Sequence, residues 1–224
     1  MEIELLHQPD SAIAKVHLAP GEELIAQAGA MVAMSSHITP STSLHRGKGG
    51  SLMGAVGRML AGQSLFLSVF RTATPAEIFL APKLMGDLLV CELADSNLVV
   101  QSGSYLASAS TVNLDLGFQG LKSVFSGEGL FWLDLSGMGP VLLTSFGGIY
   151  TIPVHGEYIV DTGHIVAFDK SLNFSIDKAG DSWLGSFLGG EGLVCRFQGQ
   201  GNVYCQTHNN YALRRQVGSK LSTR

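Results

Sequence analysis

Seven histidines, His7, His17, His37, His45, His155, His164 and His208, are the side chains of this 224-residue chain best suited to hold a metal ion. A metal-dependent β-barrel enzyme of the cupin kind needs two histidines one residue apart and a carboxylate a few residues on, so that all three ligands point into one barrel. The chain has no such run. Its nearest approach is His155 with Glu157 and His164, which together define the alternative functional reading, a small-molecule-binding or metal-dependent β-barrel enzyme. Against that reading, His155-Gly156-Glu157 stands where an earlier stretch has Pro20-Gly21-Glu22, and His164 stands where it has Ala30. A turn written both with and without its histidines points to structural roles, so no metal ligand is assigned.

Other chemistry fares no better. GKGGS at 47–51 lacks the GxxxxGK[ST] spacing that cradles phosphate, and no GxSxG nucleophile elbow is present. No catalytic residue and no cofactor is expected, and the chain is read as not an enzyme. Cys91, Cys195 and Cys205 are too few and odd in number for a disulfide framework, which favours a reducing compartment. Residues 198–202, Gln-Gly-Gln-Gly-Asn, read as a hairpin loop. Centring it on Gln200 sets Cys195 opposite Cys205 on a face shared with Leu193, Phe197 and Val203. Arg196, Gln198, Gln206 and His208 then fall on the other face, leaving two buried thiols against a core.

The elements that must position these residues announce themselves by repetition. GAMVA at 29–33 returns as GSYLA at 103–107 and GHIVA at 163–167. A second phrase follows each: AGQSLF at 61–66, SGEGLF at 126–131 and GGEGLV at 189–194. Two phrases in one order three times imply an internal triplication, one packed supersecondary unit per copy. The expected fold is all-β, with triplicated β-sandwich units resembling a double-stranded β-helix. The copies span roughly 12–75, 85–146 and 149–212 of one domain, 1–212. Strands are expected at 12–18, 23–28, 65–70, 130–135 and 193–198, and residues 130–133, apolar on both faces, read as a strand covered on both sides.

Residues 48–61 break the strand pattern. Leu52, Met53, Val56, Met59 and Leu60 recur at helical spacing on one face, although Gly50, Gly54 and Gly57 each cost a helix about 1 kcal/mol against Ala. Shorter apolar stretches occupy the same place in the other copies, at 121–125 and 183–188. Such a face needs a cover, and its own sandwich, a neighbouring subunit and a bilayer all qualify. With Arg58 beside it, this face is the expected interaction surface.

Charged residues make up 14% of the chain, against about 25% in an average soluble domain. A surface poor in charge is what subunit interfaces look like, so a homo-oligomer is expected. The net charge of −4 argues against a nucleic-acid partner. Four of the 14 cations, Arg214, Arg215, Lys220 and Arg224, lie in the basic tail 213–224, read as disordered or as a weak anchor for an anionic surface.

PGEEL with GAMVAM, LAGQSLFLSVF after the glycine-rich apolar segment, and GEYIVDTGHIVAFD resemble the family of the yeast altered-inheritance-of-mitochondria protein twenty-four, which in bacteria is a domain of unknown function. The resemblance covers about residues 1 to 210. It implies a fold similar to the tryptophan RNA-binding attenuation protein, three compact β-sandwich units in one chain, and assembly as a trimer. Fungal relatives sit at the mitochondrial inner membrane, and the family has no established catalytic residues to carry over. The function expected is therefore a non-enzymatic oligomeric scaffold or binding protein. Its place is the cytoplasm, with a peripheral position at the inner membrane or against a protein partner.

Overall fold

Along IAKVHL, apolar side chains at every second position bury Ala14, Val16 and Leu18 and leave their neighbours half-buried, the period-two habit of a strand with one face on a core. The computed structural model describes residues 1–44, 66–116, 132–178 and 193–209, with 213 and 217, and the same habit recurs in Glu23–Gln27 and Ala76–Leu80. The apolar helical connections expected at 48–61, 121–125 and 183–188, and most of the basic tail, lie outside the described residues.

The first third holds β1 (Glu2–Leu6), β2 (Ile13–Leu18), β3 (Glu23–Gln27), β4 (Met31–Met34), β5 (Thr39–Leu44), β6 (Phe66–Arg71) and β7 (Ala76–Leu80). The middle holds β8 (Leu88–Ala94), β9 (Leu98–Gln101), β10 (Tyr105–Ala109), β11 (Val112–Leu116) and β12 (Trp132–Thr144). The last holds β13 (Ile149–Asp161), β14 (Ile165–Asp169), β15 (Asn173–Lys178) and β16 (Leu193–Gln206). The all-β expectation therefore holds. A 4-stranded sheet runs β1-β2-β7-β4, and the remaining strands join in a 12-stranded sheet.

Pairing follows one scheme. β2 and β4 flank β7, while β3 and β5 flank β6. β8 and β10 flank the second half of β12, while β9 and β11 flank its first half. The first half of β13 and β14 flank the end of β16, while the second half of β13 and β15 flank its start. All of these pairs are antiparallel. Each GxxxA phrase also carries a register shift at the same place, between Met31 and Ala33, Tyr105 and Ala107, and Ile165 and Ala167. An extra residue there bends the strand and increases its twist.

Two strand-to-strand seams knit the thirds together. β10 pairs with β3, setting Ala107 opposite Ala26, and β14 pairs with β9, setting Ala167 opposite Val100. Around these seams β9, β10 and β14 are covered on both faces. Along β12, Leu142 enters one core cluster with Val16, Ile78 and Phe70, while Val141 and Leu143 enter the next with Leu98, Leu133 and Tyr105. Along β9, Leu98 and Val100 face that second cluster, and Val99 faces a third built on Phe168, Phe197 and Trp132. In the third, the Phe168 ring meets Trp132 edge-on at 5.5 Å and Phe197 at 5.0 Å, geometries that add to the area they bury. Trp132 and Leu133 are both buried, as the doubly apolar reading of that strand requires.

The hairpin expected at 198–202 is corrected. β16 runs unbroken from Leu193 to Gln206, and its two halves lie in different parts of the sheet. Gly199, with φ of 124°, marks a corner and not a reversal; Gly137 and Gly139 in β12 and Gly156 in β13 mark others. The left-handed region that admits a tight turn also admits a sharp bend in a continuous strand, so composition reads alike for both.

Candidate functional site

The expected polar trio sits at the end of the chain built from β13 and β16. β13 places His155 opposite Gln200 and Glu157 opposite Gln198. A one-turn 3-10 segment, Thr162–His164, presents His164. Glu157 and His164 are each engaged by neighbouring groups, and His155 is exposed. Glu157 accepts hydrogen bonds from Arg196 and, at 2.8 Å, from Gln198 Nε2. The Gln198 bond, with the Arg196 charge beside it, holds this carboxyl below its ordinary pKa. The Nδ1 of His164 lies 2.8 Å from the backbone oxygen of Gln206. Among the described residues, no three His, Cys, Asp or Glu side chains gather into a set able to hold a metal ion.

Gln206, which the hairpin reading put on an outer face, is instead buried and ties the last third to the loop after β12. Its Nε2 donates to the Gly163 carbonyl at 3.0 Å and its Oε1 accepts from the Phe146 N–H at 2.9 Å. Asp161 caps the same turn by accepting from the Gly163 N–H at 2.7 Å. Similar wiring joins the first third to the middle: Gln8 Nε2 donates to Asp87 Oδ1 and to the Leu88 carbonyl, each at 2.8 Å. Such bonds satisfy buried polar groups and leave them spent as ligands for anything else.

The two thiols of β16 are buried, as expected, but by a different geometry. Cys195 lies opposite Val160 and Ile176, and Cys205 lies opposite Tyr150 and Ile165. Cys195 lies between β13 and β15 and Cys205 between β13 and β14, so the two cysteines do not face each other across a turn. Burial pushes the Cys205 thiol up to about 12, and burial with the charge of Asp169 pushes Cys91 up to about 11. Thiols so shifted stay protonated and are poor nucleophiles near neutrality.

The expected interaction surface, Leu52, Met53, Val56, Arg58, Met59 and Leu60, lies outside the described residues. What sequence reading missed is a pair of exposed apolar strands. Met31 and Val32 on β4 are 41% and 57% exposed, and Tyr158 and Ile159 on β13 are 47% and 49% exposed. Their signal was present in the repeat: GAMVA and GEYIVD carry apolar residues at the same positions as the buried copies, with nothing in the phrase to mark them as outermost.

No helix among the described residues is long and apolar enough to cross a membrane. Compared with known proteins, the chain is 31% identical over 204 residues to an uncharacterised protein of Streptococcus pyogenes serotype M6, covering 88% of this chain and 82% of that one. It is similar to a crystal structure of a Streptococcus pyogenes protein with a TM-score of 0.82 and 26% identity, over 98% of this chain and 99% of that one. Residues 3–208 match the model of the family described as mitochondrial biogenesis AIM24, and with that match across nearly its whole length the chain belongs to this family.

Proposed function

We propose that this protein is a non-enzymatic scaffold or binding protein, three copies of one sandwich unit in series, assembled with itself and held against a membrane surface or a protein partner. The observation that carries the reading is the placement of its three longest connections. Each leaves and re-enters on register partners of the same kind of hairpin: Leu44 with Phe66, Leu116 with Leu133, and Lys178 with Leu193. Hairpin loops are usually about two to five residues, and much longer ones are commonly functional. These three carry the apolar stretches 52–60, 121–125 and 183–188 and few charges. Repeating one hairpin and extending its connection each time with apolar residues supports a contact role for those segments.

The homo-oligomer is a trimer by the family resemblance, cytoplasmic and peripheral to the inner membrane, with Lys48 and Arg58 beside anionic headgroups. Vesicle flotation tests the membrane part. Wild type is expected to float with anionic vesicles, and the Met59→Glu, Leu60→Glu double variant to stay in the bottom fraction. Equal recovery of both in the bottom fraction overturns the membrane reading.

A further inference from the structure

We infer that β4 of one molecule and the second half of β13 of another pair edge to edge, so that the chain associates head to tail with further copies of itself. The inference rests on the three-unit reading above but not on its membrane part.

The two internal seams define what such an edge normally does. In each, the strand just before a GxxxA phrase pairs with the strand that carries the next phrase: β3 with β10, and β9 with β14. By the same count, the last strand of the first kind is residues 157–160 of β13, and the first strand of the second kind is β4. Among the described residues, β4 pairs with β7 on one side only and closes its sheet, and β13 pairs with β16 and closes the other. The chain thus ends in one copy of each half of a seam that it completes twice within itself.

Burial shows the same mismatch. Val32 holds the place of Leu106 and Val166 in its phrase; those two are 1% and 0% exposed, while Val32 is 57% exposed. Tyr158 holds the place of Leu24 and Leu98, both buried, yet is 47% exposed, and Ile159 holds that of buried Val99 and half-buried Ile25, yet is 49% exposed. Edge strands are normally protected by charge, proline or a bulge that turns the edge away. MVAM carries no charge, and its one register shift lies at the place where the internal, paired strands carry theirs too. Copying the internal registers sets Ala33 opposite Val160, Met34 opposite Ile159 and Ser35 opposite Tyr158, all antiparallel. Because the two edges differ, the contact is heterologous: each molecule offers one edge to each neighbour.

The test is mass by light scattering on a sizing column for wild type, Val32→Glu, Ile159→Glu and an equimolar mixture of the two variants. Wild type at micromolar concentration is expected at a multiple of the 23.7 kDa chain mass, and each variant at one chain mass. The mixture is expected at two, because one intact β4 edge and one intact β13 edge remain to form a single seam. A monomeric wild type overturns the inference, as do variants that keep the wild-type mass. It is also overturned if one variant alone dissociates, since the surviving edge would then pair with itself, or if the mixture stays monomeric. Hydrogen exchange on wild type gives a reading independent of the variants. Amides in 32–35 and 158–160 should be protected in the assembly and lose that protection on dilution; fast exchange in the assembly overturns the seam. Loss of vesicle binding in the Met59→Glu, Leu60→Glu variant leaves these masses unchanged, so the two readings fail separately.

Discussion

β10 and β4 carry the same phrase with the same register shift, yet β10 is buried along its length and β4 is mostly exposed. Their local sequences are equally apolar, so composition does not separate them. What separates them is neighbours: β10 lies between β12 and β3 with a core cluster on each face, whereas β4 has β7 on one side. Hydrophobic stabilisation scales with area removed from water, so one phrase contributes to folding in the middle of the molecule and is left for association at its end.

The sharpest way to break the comparison is to truncate equivalent residues. Leu106→Ala is expected to cost about 2–5 kcal/mol, the usual range for a fully buried leucine. Val32→Ala should stay within about 0.5 kcal/mol, as exposed substitutions do. Urea unfolding of dilute, monomeric protein measures both, and equal losses would mean that β4 is covered in the single molecule.

The strand corners offer a second contrast. Gly137 in β12 and Gly156 in β13 both have positive φ, 111° and 104°, so alanine is strained at either. At Gly156 an added Cβ meets nothing within 4 Å, and at Gly137 it would lie 2.5 Å from the Thr111 backbone oxygen. Gly156→Ala should cost about 1–2 kcal/mol from the backbone alone, and Gly137→Ala clearly more, in the same unfolding assay.

A pH scan separates interior groups from the edges more gently. Cys91 and Cys205 hold their protons to about 11 and about 12 when folded, against 9.0 ordinarily, and Tyr204, raised mainly by burial, to about 12 against 10.0. The unfolded chain therefore releases these protons first as pH rises. Their contribution to stability is complete below about pH 9 and is lost progressively from there through the folded values. The urea midpoint should fall between pH 8 and pH 10, the drop shrinking in Cys205→Ala measured against its own value at pH 8. Iodoacetamide at pH 8 should label the native cysteines slowly and the unfolded chain fully.

The smallest effect belongs to the exposed end of the molecule. Glu157 pairs with Arg196 in solvent, where ion pairs contribute little, so Glu157→Gln should leave the unfolding midpoint unchanged. A metal titration followed by the same melt should show no shift in wild type or variant. A clear rise in wild type that Glu157→Gln abolishes would revive the His155, Glu157 and His164 reading.

Much of this was legible beforehand for identifiable reasons. Alternation in IAKVHL gave away a half-buried strand, and the doubly apolar Trp132-Leu133 announced a strand covered on both faces, because side-chain period and burial are local consequences of pleating. The thiols of Cys195 and Cys205 were read as buried for the right chemistry but through a hairpin that does not exist. Gly199 has the positive φ that a turn would use, and nothing near it in the chain says that β13, β14 and β15 wait on both sides of β16. Glu157 and His164 looked available because their structural partners, Arg196, Gln198 and Gln206, lie about forty residues away.

The sequence by itself determined strand identity, the recurrence of one phrase in three places and the scarcity of charge, since these follow from residue type, spacing and count. Only the tertiary structure decided which glycines bend a strand and which polar groups are already engaged. It also decided that Met31, Val32, Tyr158 and Ile159 stand at open edges while their equivalents lie in cores. Burial and pairing are properties of what lies alongside a strand, and at the long-range seams β3 with β10 and β9 with β14 that neighbour is not written next to it.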